Sequence, residues 1–191
     1  NSQEVGLARS LTRRGHKVDI VLFGGDKGHT STVTYDIDGA YCYSTIYYVP
    51  GIALYDAGLF RGLDDIVRNY DIIQAAEYDQ IETWILAKKY AGKLVVYHGP
   101  YYSDFNERYN LKCKVIDRLL VPRYLRLRTP FIAKSPLAED FLRQKGIKDV
   151  ETIGVGIDVA QLTCEDAAES TNLVKNILDE KGSGIRHLLY I

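Results

Sequence analysis

Leu94-Val95-Val96-Tyr97-His98-Gly99 is a short, β-branched, apolar run that ends in a histidine and a glycine. Residues 94–97 read as a strand. The chain on either side of it alternates in kind. Upstream, Asp71 to Ala76 is a strand and Ile81, Trp84 and Ile85 mark a helix that ends near Gly92. Before these, Leu59, Leu63, Ile66 and Val67 recur at helical spacing. Downstream, residues 106–127 read as a helix interrupted at Pro122. Phe131 to Ala133 is a strand. Ser135 is placed to cap a helix with Pro136 at its first position and Glu139 near the capping-box place, and Gly146 stops it. Val150 to Ile153 is a further strand, residues 165–181 a further helix, and Leu188 to Ile191 a last strand.

The front of the chain follows the same logic. Val5, Leu7, Ala8 and Leu11 predict a helix over 2–14, stopped by Gly15. Val18 to Phe23 is a nearly continuous apolar run, the mark of a buried parallel strand. Gly24, Gly25 and Gly28 mark a loop. Two β-rich runs within 31–48, about Asp36-Ile37-Asp38-Gly39, predict a hairpin or a pair of strands, and Pro50-Gly51 predicts a loop over 47–55.

Strands alternating with helices imply an α/β fold: a Rossmann-like parallel sheet sandwiched by helices, with a hairpin insertion near 31–48. Such a sheet usually opens on a strand, whereas this chain opens on a helix at Asn1. The expectation is therefore a first strand and its loop upstream of Asn1. Residues 1–162 are expected to form this domain. Residues 163–191 are expected to be a linker, a helix and the first strand of a second domain.

Composition bounds the function. The chain has 191 residues, 46% hydrophobic and 26% charged, ordinary values for a globular protein with a core. A net charge of −1 offers no basic field for nucleic acid, so none is expected as a partner. No apolar run approaches the roughly 18 residues of a membrane-spanning helix. Cys42, Cys113 and Cys164 are odd in number and far apart, which suits free thiols in a reducing, cytoplasmic setting. There are 15 tyrosines and no methionine, and the expectation is a chain trimmed at its front with methionines omitted or replaced.

Several motifs are missing. There is no phosphate-binding G-x-x-x-x-G-K-[ST], no G-x-S-x-G and no H-E-x-x-H. Gly154-Val155-Gly156 begins like a dinucleotide fingerprint, but Val159 occupies the third glycine's place. No metal or bound cofactor is expected.

Ligands of open α/β sheets bind beyond the carboxyl ends of the strands. Three such ends carry chemistry. One bears Glu77, Tyr78 and Asp79. The next bears His98 and Gly99, then Tyr101, Tyr102, Ser103 and Asp104. The third bears Lys134 and Ser135. Imidazole can bind sugar hydroxyls and tyrosines can stack on pyranose faces. Plainer readings stand beside these. Glu77 or Asp79 is also suited to starting a helix, His98 to bracing a loop, and Ser135 to capping. Residues 110–128 carry Lys112, Lys114, Arg118, Arg123, Arg126 and Arg128 against Asp117 alone, with Leu111, Val115 and Leu119 as an apolar side. This segment suits an anionic lipid or a phosphorylated acceptor, or it is simply a solvated helix face.

Taken in order, these pieces resemble the family-4 glycosyltransferases of the two-domain GT-B fold. Leu7-Ala8-Arg9-Ser10-Leu11 with Arg14-Gly15-His16-Lys17-Val18 is similar to the family's first helix and second strand. Tyr70-Asp71-Ile72-Ile73 resembles its aspartate-isoleucine-isoleucine strand, and Val95-Val96-Tyr97-His98-Gly99 its strand ending in histidine. Phe131-Ile132-Ala133-Lys134-Ser135, followed by Leu137-Ala138-Glu139, resembles its valine-serine strand and helix. Ile153-Gly154-Val155-Gly156-Ile157-Asp158 resembles its proline-asparagine-glycine-valine-aspartate turn, with Gly154 and Val155 in place of proline and asparagine. His187-Leu188-Leu189-Tyr190-Ile191 resembles the strand opening the second domain. The family's paired donor-binding glutamates are not found.

The resemblance implies transfer of a sugar from a nucleotide-sugar to a glycan or lipid-linked acceptor with retention of configuration, this chain being the acceptor-side half. The nucleotide-sugar is then a co-substrate. Metal is not usually needed, because cations and helix N-termini stabilise the departing diphosphate. His98 is the implied catalytic residue, with Gly99, Tyr101, Tyr102, Glu77, Tyr78, Lys134 and Ser135 about the substrate. The expected location is cytoplasmic, with peripheral contact at the inner membrane face through 110–128. Two other readings stay open: a GT-B nucleotide-sugar epimerase, and a non-catalytic module that holds a glycan in its tyrosine-rich loops.

Overall fold

A computed structural model describes residues 3–54, 57–99 and 102–156. The helix expected over 165–181 and the strand expected at Leu188 to Ile191 lie outside the described residues. Residues Asn1–Gly156 form one compact unit.

The first helix, α1 (Gln3–Arg13), follows the expected apolar spacing. Thr12 bonds back to the Ala8 carbonyl, and Gly15 takes a φ of 87° just beyond the helix end. Strand β1 (Ile20–Phe23) comes next, then the hairpin β2 (His29–Ile37) and β3 (Ala40–Val49). Its two-residue turn, Asp38-Gly39, has positive φ at both positions, the turn that matches strand twist. The Asp36 carboxylate accepts the Gly39 N–H at 3.0 Å and fixes it. Strands β1 and β3 pair in parallel, giving a sheet of order β1-β3-β2. The apolar run of β1 is less buried than expected. Ile20 is inside, but Leu22 and Phe23 are over a third exposed because β1 lies at the edge of this sheet.

Residues 47–54, the described part of the expected loop, are mostly strand. After Pro50 the chain makes a second hairpin, β4 (Gly51–Leu54) with β5 (Ala57–Phe60). The reason is packing: Phe23 lies against Gly51 and Gly58 and meets the Phe60 ring edge-on at 5.6 Å. The glycines act here as seats for a ring rather than as breakers. Leu59 consequently belongs to a strand, and the helix that follows is only α2 (Leu63–Val67).

From here the pattern is regular: β6 (Ile73–Ala76), α3 (Ile81–Lys89), β7 (Leu94–His98), α4 (Glu107–Leu127), β8 (Phe131–Ala133), α5 (Pro136–Gln144) and β9 (Val150–Thr152). The four strands form one parallel sheet of order β6-β7-β8-β9, flanked by helices. Its core holds Ile73, Leu94, Val96 and Phe131, with Tyr78 and Tyr124 from the flanking segments. The Rossmann-like α/β class is as expected. Helix α4 corrects one expectation, since it runs unbroken through Pro122. Its inner face holds it across the proline, with Cys113, Val121 and Tyr124 buried. Asn106 caps its start by accepting the Tyr109 N–H at 3.0 Å. No helix among the described residues is long and apolar enough to cross a membrane.

Candidate functional site

Parallel register brings the three strand ends together. Tyr97 pairs with Ile132 and His98 with Ala133, so the residues after β7 and β8 emerge side by side. The ladder continues past the strands: Glu77 N–H donates to the Tyr97 carbonyl at 3.0 Å, and Lys134 N–H to the His98 carbonyl at 2.9 Å. Glu77, His98, Gly99 and Lys134 are thereby gathered at the carboxyl edge, as the sequence predicted.

Glu77 is the hub. Its backbone is left-handed, with a φ of 58°, a conformation that costs an L residue about 1 kcal/mol or more. One carboxylate oxygen accepts Lys134 Nζ at 2.6 Å. The other meets His98 Nδ1 and accepts the Gly99 N–H at 3.3 Å. Burial pushes this carboxyl up, but the bonds from His98 and Lys134 outweigh it and hold the pKa at about 2. Glu77 is therefore ionised at neutral pH. Gly99 is small for a reason: a Cβ there would lie 3.1 Å from Lys134 Cδ. Lys134 Nζ also sits 5.1 Å above the Tyr97 ring, whose hydroxyl donates to the Gly154 carbonyl at 2.9 Å.

The expected residues divide into an open and a covered set. Glu77 and Lys134 keep about a third of their side chains exposed, 31% and 28%. His98 is fully covered, stacked near Phe141 with ring centroids 5.9 Å apart and against Tyr78 at 4.6 Å. Its imidazole has no exposed face, and its Nδ1 meets the Glu77 carboxylate. Tyr78 corrects an expectation outright. It is a core residue with 0% exposure and has no face to offer a pyranose. Its hydroxyl donates to Asp117 instead, and its carbonyl accepts the Tyr124 hydroxyl at 2.9 Å. Ser135 takes the plainer of its two readings, accepting the Ala138 N–H at 3.2 Å as a helix cap. Glu139 does not complete a capping box; it accepts from Thr152 and Arg143. Tyr102 stays partly exposed and donates to Asp117 at 2.6 Å. Burial and that carboxylate both push its pKa up. Tyr101 lies outside the described residues.

Sequence reading missed Asp117 and Lys145. Asp117, on α4, accepts from Tyr78, Tyr102 and Lys145 at once. Lys145 Nζ also lies 4.2 Å from the Phe141 ring centroid and 4.6 Å from that of Tyr102. The signal was present: Asp117 is the lone acid in a basic run. Among the described residues no group of three or more His, Cys, Asp or Glu could hold a metal.

Glu77, His98 and Lys134 are thus gathered at the carboxyl edge of a Rossmann-like sheet, the edge at which open α/β sheets as a class bind ligands. The sequence profile of Glycosyltransferase Family 4 matches residues 5–161. The chain belongs to that family, and its domain is a glycosyltransferase domain. Comparison with curated proteins and with solved structures returned no match.

Proposed function

We propose that the protein transfers a sugar from a nucleotide-sugar to a glycan or lipid-linked acceptor with retention of configuration, this domain forming the acceptor side. Family membership supports the transfer, and the partly exposed Glu77–Lys134 pair at the carboxyl edge carries the placement of the acceptor. A carboxylate with a pKa of about 2 is a poor proton acceptor near neutral pH but a good hydrogen-bond acceptor. Glu77 therefore holds hydroxyls rather than deprotonating them. Lys134 supplies positive charge beside it, and the buried His98 is a positioning residue that fixes the carboxylate. The acceptor proton goes to the departing phosphate.

The test is nucleoside-diphosphate release by the complete protein across a panel of nucleotide-sugars and acceptors. Turnover is expected, with Glu77→Gln and Lys134→Ala each lowering it at least about tenfold. Absence of turnover across the panel, with saturable glycan binding instead, overturns the transferase reading. Unchanged turnover in both variants removes the pair from the site.

A further inference from the structure

Helix α4 shows the solvent a face that a plain surface helix would not. Leu111, Val115, Leu119 and Pro122 fall at spacings of three and four residues and so share one side. That side points away from the domain, since Leu111 is 65% exposed and Val115 and Leu119 are 54% exposed. The opposite side carries the buried Cys113, Val121 and Tyr124. The apolar stripe runs about 16 Å along the helix, from 1.5 Å of rise per residue.

Its border is basic. Arg108, Lys112, Lys114, Arg118 and Arg126 are all exposed on the same helix. Of the two acids in α4, Glu107 sits at its first position and Asp117 is turned inward against Lys145. At the C-terminal end of the stripe, Arg118, Leu119, Pro122, Arg123 and Arg126 line a notch of about 350 Å³. Arg123 is held in place there, donating to the Leu119 carbonyl with its guanidinium 5.5 Å above the Trp84 ring. Three guanidinium groups about one apolar notch suit a phosphate whose remainder is greasy.

We propose that this face docks the domain on an anionic lipid surface, with the four apolar side chains entering the headgroup–acyl boundary and the basic border meeting lipid phosphates. Charge complementarity selects the occupant. A second copy would set one basic border against another, which repels. A soluble phosphorylated chain would answer the arginines but leave the stripe uncovered. The proposal stands apart from the transferase reading, because no residue of the carboxyl-edge cluster takes part.

The experiment is flotation of the full chain with phosphatidylcholine vesicles, with and without phosphatidylglycerol. Binding is expected only with the anionic lipid, and it should fall as salt is raised past about 0.5 M. The pair Arg118→Gln with Arg126→Gln should weaken it about twenty-fivefold, from roughly fivefold per charge. The pair Val115→Gln with Leu119→Gln, which keeps the charge, should weaken it at least about tenfold. Equal binding to neutral vesicles, no binding to anionic ones, or indifference to both variant pairs overturns the proposal. So does a concentration-dependent dimer abolished by the apolar pair, or capture of a phosphopeptide by a chain that ignores vesicles.

Discussion

The Tyr78 hydroxyl, just past the end of β6, donates to the Asp117 carboxylate on α4, three elements later in the chain. The same carboxylate takes Lys145 and Tyr102, so one acid joins β6, the loop after β7, α4 and the end of α5. Asp117 and Lys145 are only 12% and 13% exposed at their side chains. Removing one partner of such a pair leaves the other charge buried without compensation. Asp117→Ala should therefore destabilise the domain by about 2–4 kcal/mol, read from urea denaturation. A loss below about 0.5 kcal/mol would mean the network contributes nothing net.

Glu77 gives the protein an acid-sensitive contact. Its carboxyl is held at about 2 in the fold, against 4.5 for an ordinary glutamate. A depressed carboxylate contributes stability that is present above pH 4.5 and is lost as pH falls toward 2. Stability should drop through that window, and Glu77→Gln should flatten the drop. Equal slopes in both proteins, measured by denaturation between those limits, would place the acid sensitivity elsewhere.

At Gly51 the constraint is steric. An added Cβ would collide with the Leu59 carbonyl oxygen and approach Phe23 Cε2 to 2.8 Å. Backbone cannot step aside as a side chain can. Gly51→Ala should cost about 1–3 kcal/mol by overpacking, visible as a lowered Tm. Gly25→Ala is the comparison, since nothing lies within 4 Å of its Cβ but its φ of 70° is strained. If Gly51→Ala melts no lower than wild type, the hairpin seat described for Phe23 is wrong.

His98→Ala in the complete enzyme should lower turnover at least about tenfold, through loss of the Glu77 carboxylate's orientation. Because the imidazole acts through Glu77, His98→Asn should restore part of the rate by offering Glu77 another donor. An unchanged rate in His98→Ala excludes even this positioning role. An equal loss in both variants, with matching melting curves, would assign the imidazole a role of its own.

Much of the fold was legible because parallel strands are short apolar runs with their own punctuation. β6, β7, β8 and β9 were all foreseen to within about two residues, as was the Ser135 cap of α5. What misled was punctuation used for packing. Pro50-Gly51 read as a loop, yet Gly51, with Gly58 opposite, belongs to a hairpin built against Phe23. Pro122 read as an interruption of the helix, yet buried neighbours on both sides carry α4 through it. The site was half legible. Strand ends located Glu77, His98 and Lys134, but no local pattern says that Tyr78 turns inward while Glu77 turns out. That choice is made by Asp117, far along the chain.

The left-handed backbone at Glu77 has a consequence for which residues the position can accept. Glycine, asparagine and aspartate adopt that conformation most readily, but none has the reach to bridge His98 and Lys134. Glutamine has the reach without the charge. Position 77 thus passes two independent filters, one conformational and one chemical, whose tolerated sets barely overlap. In a library of all substitutions sorted first for folding and then for turnover, the two sorts should enrich different residues there.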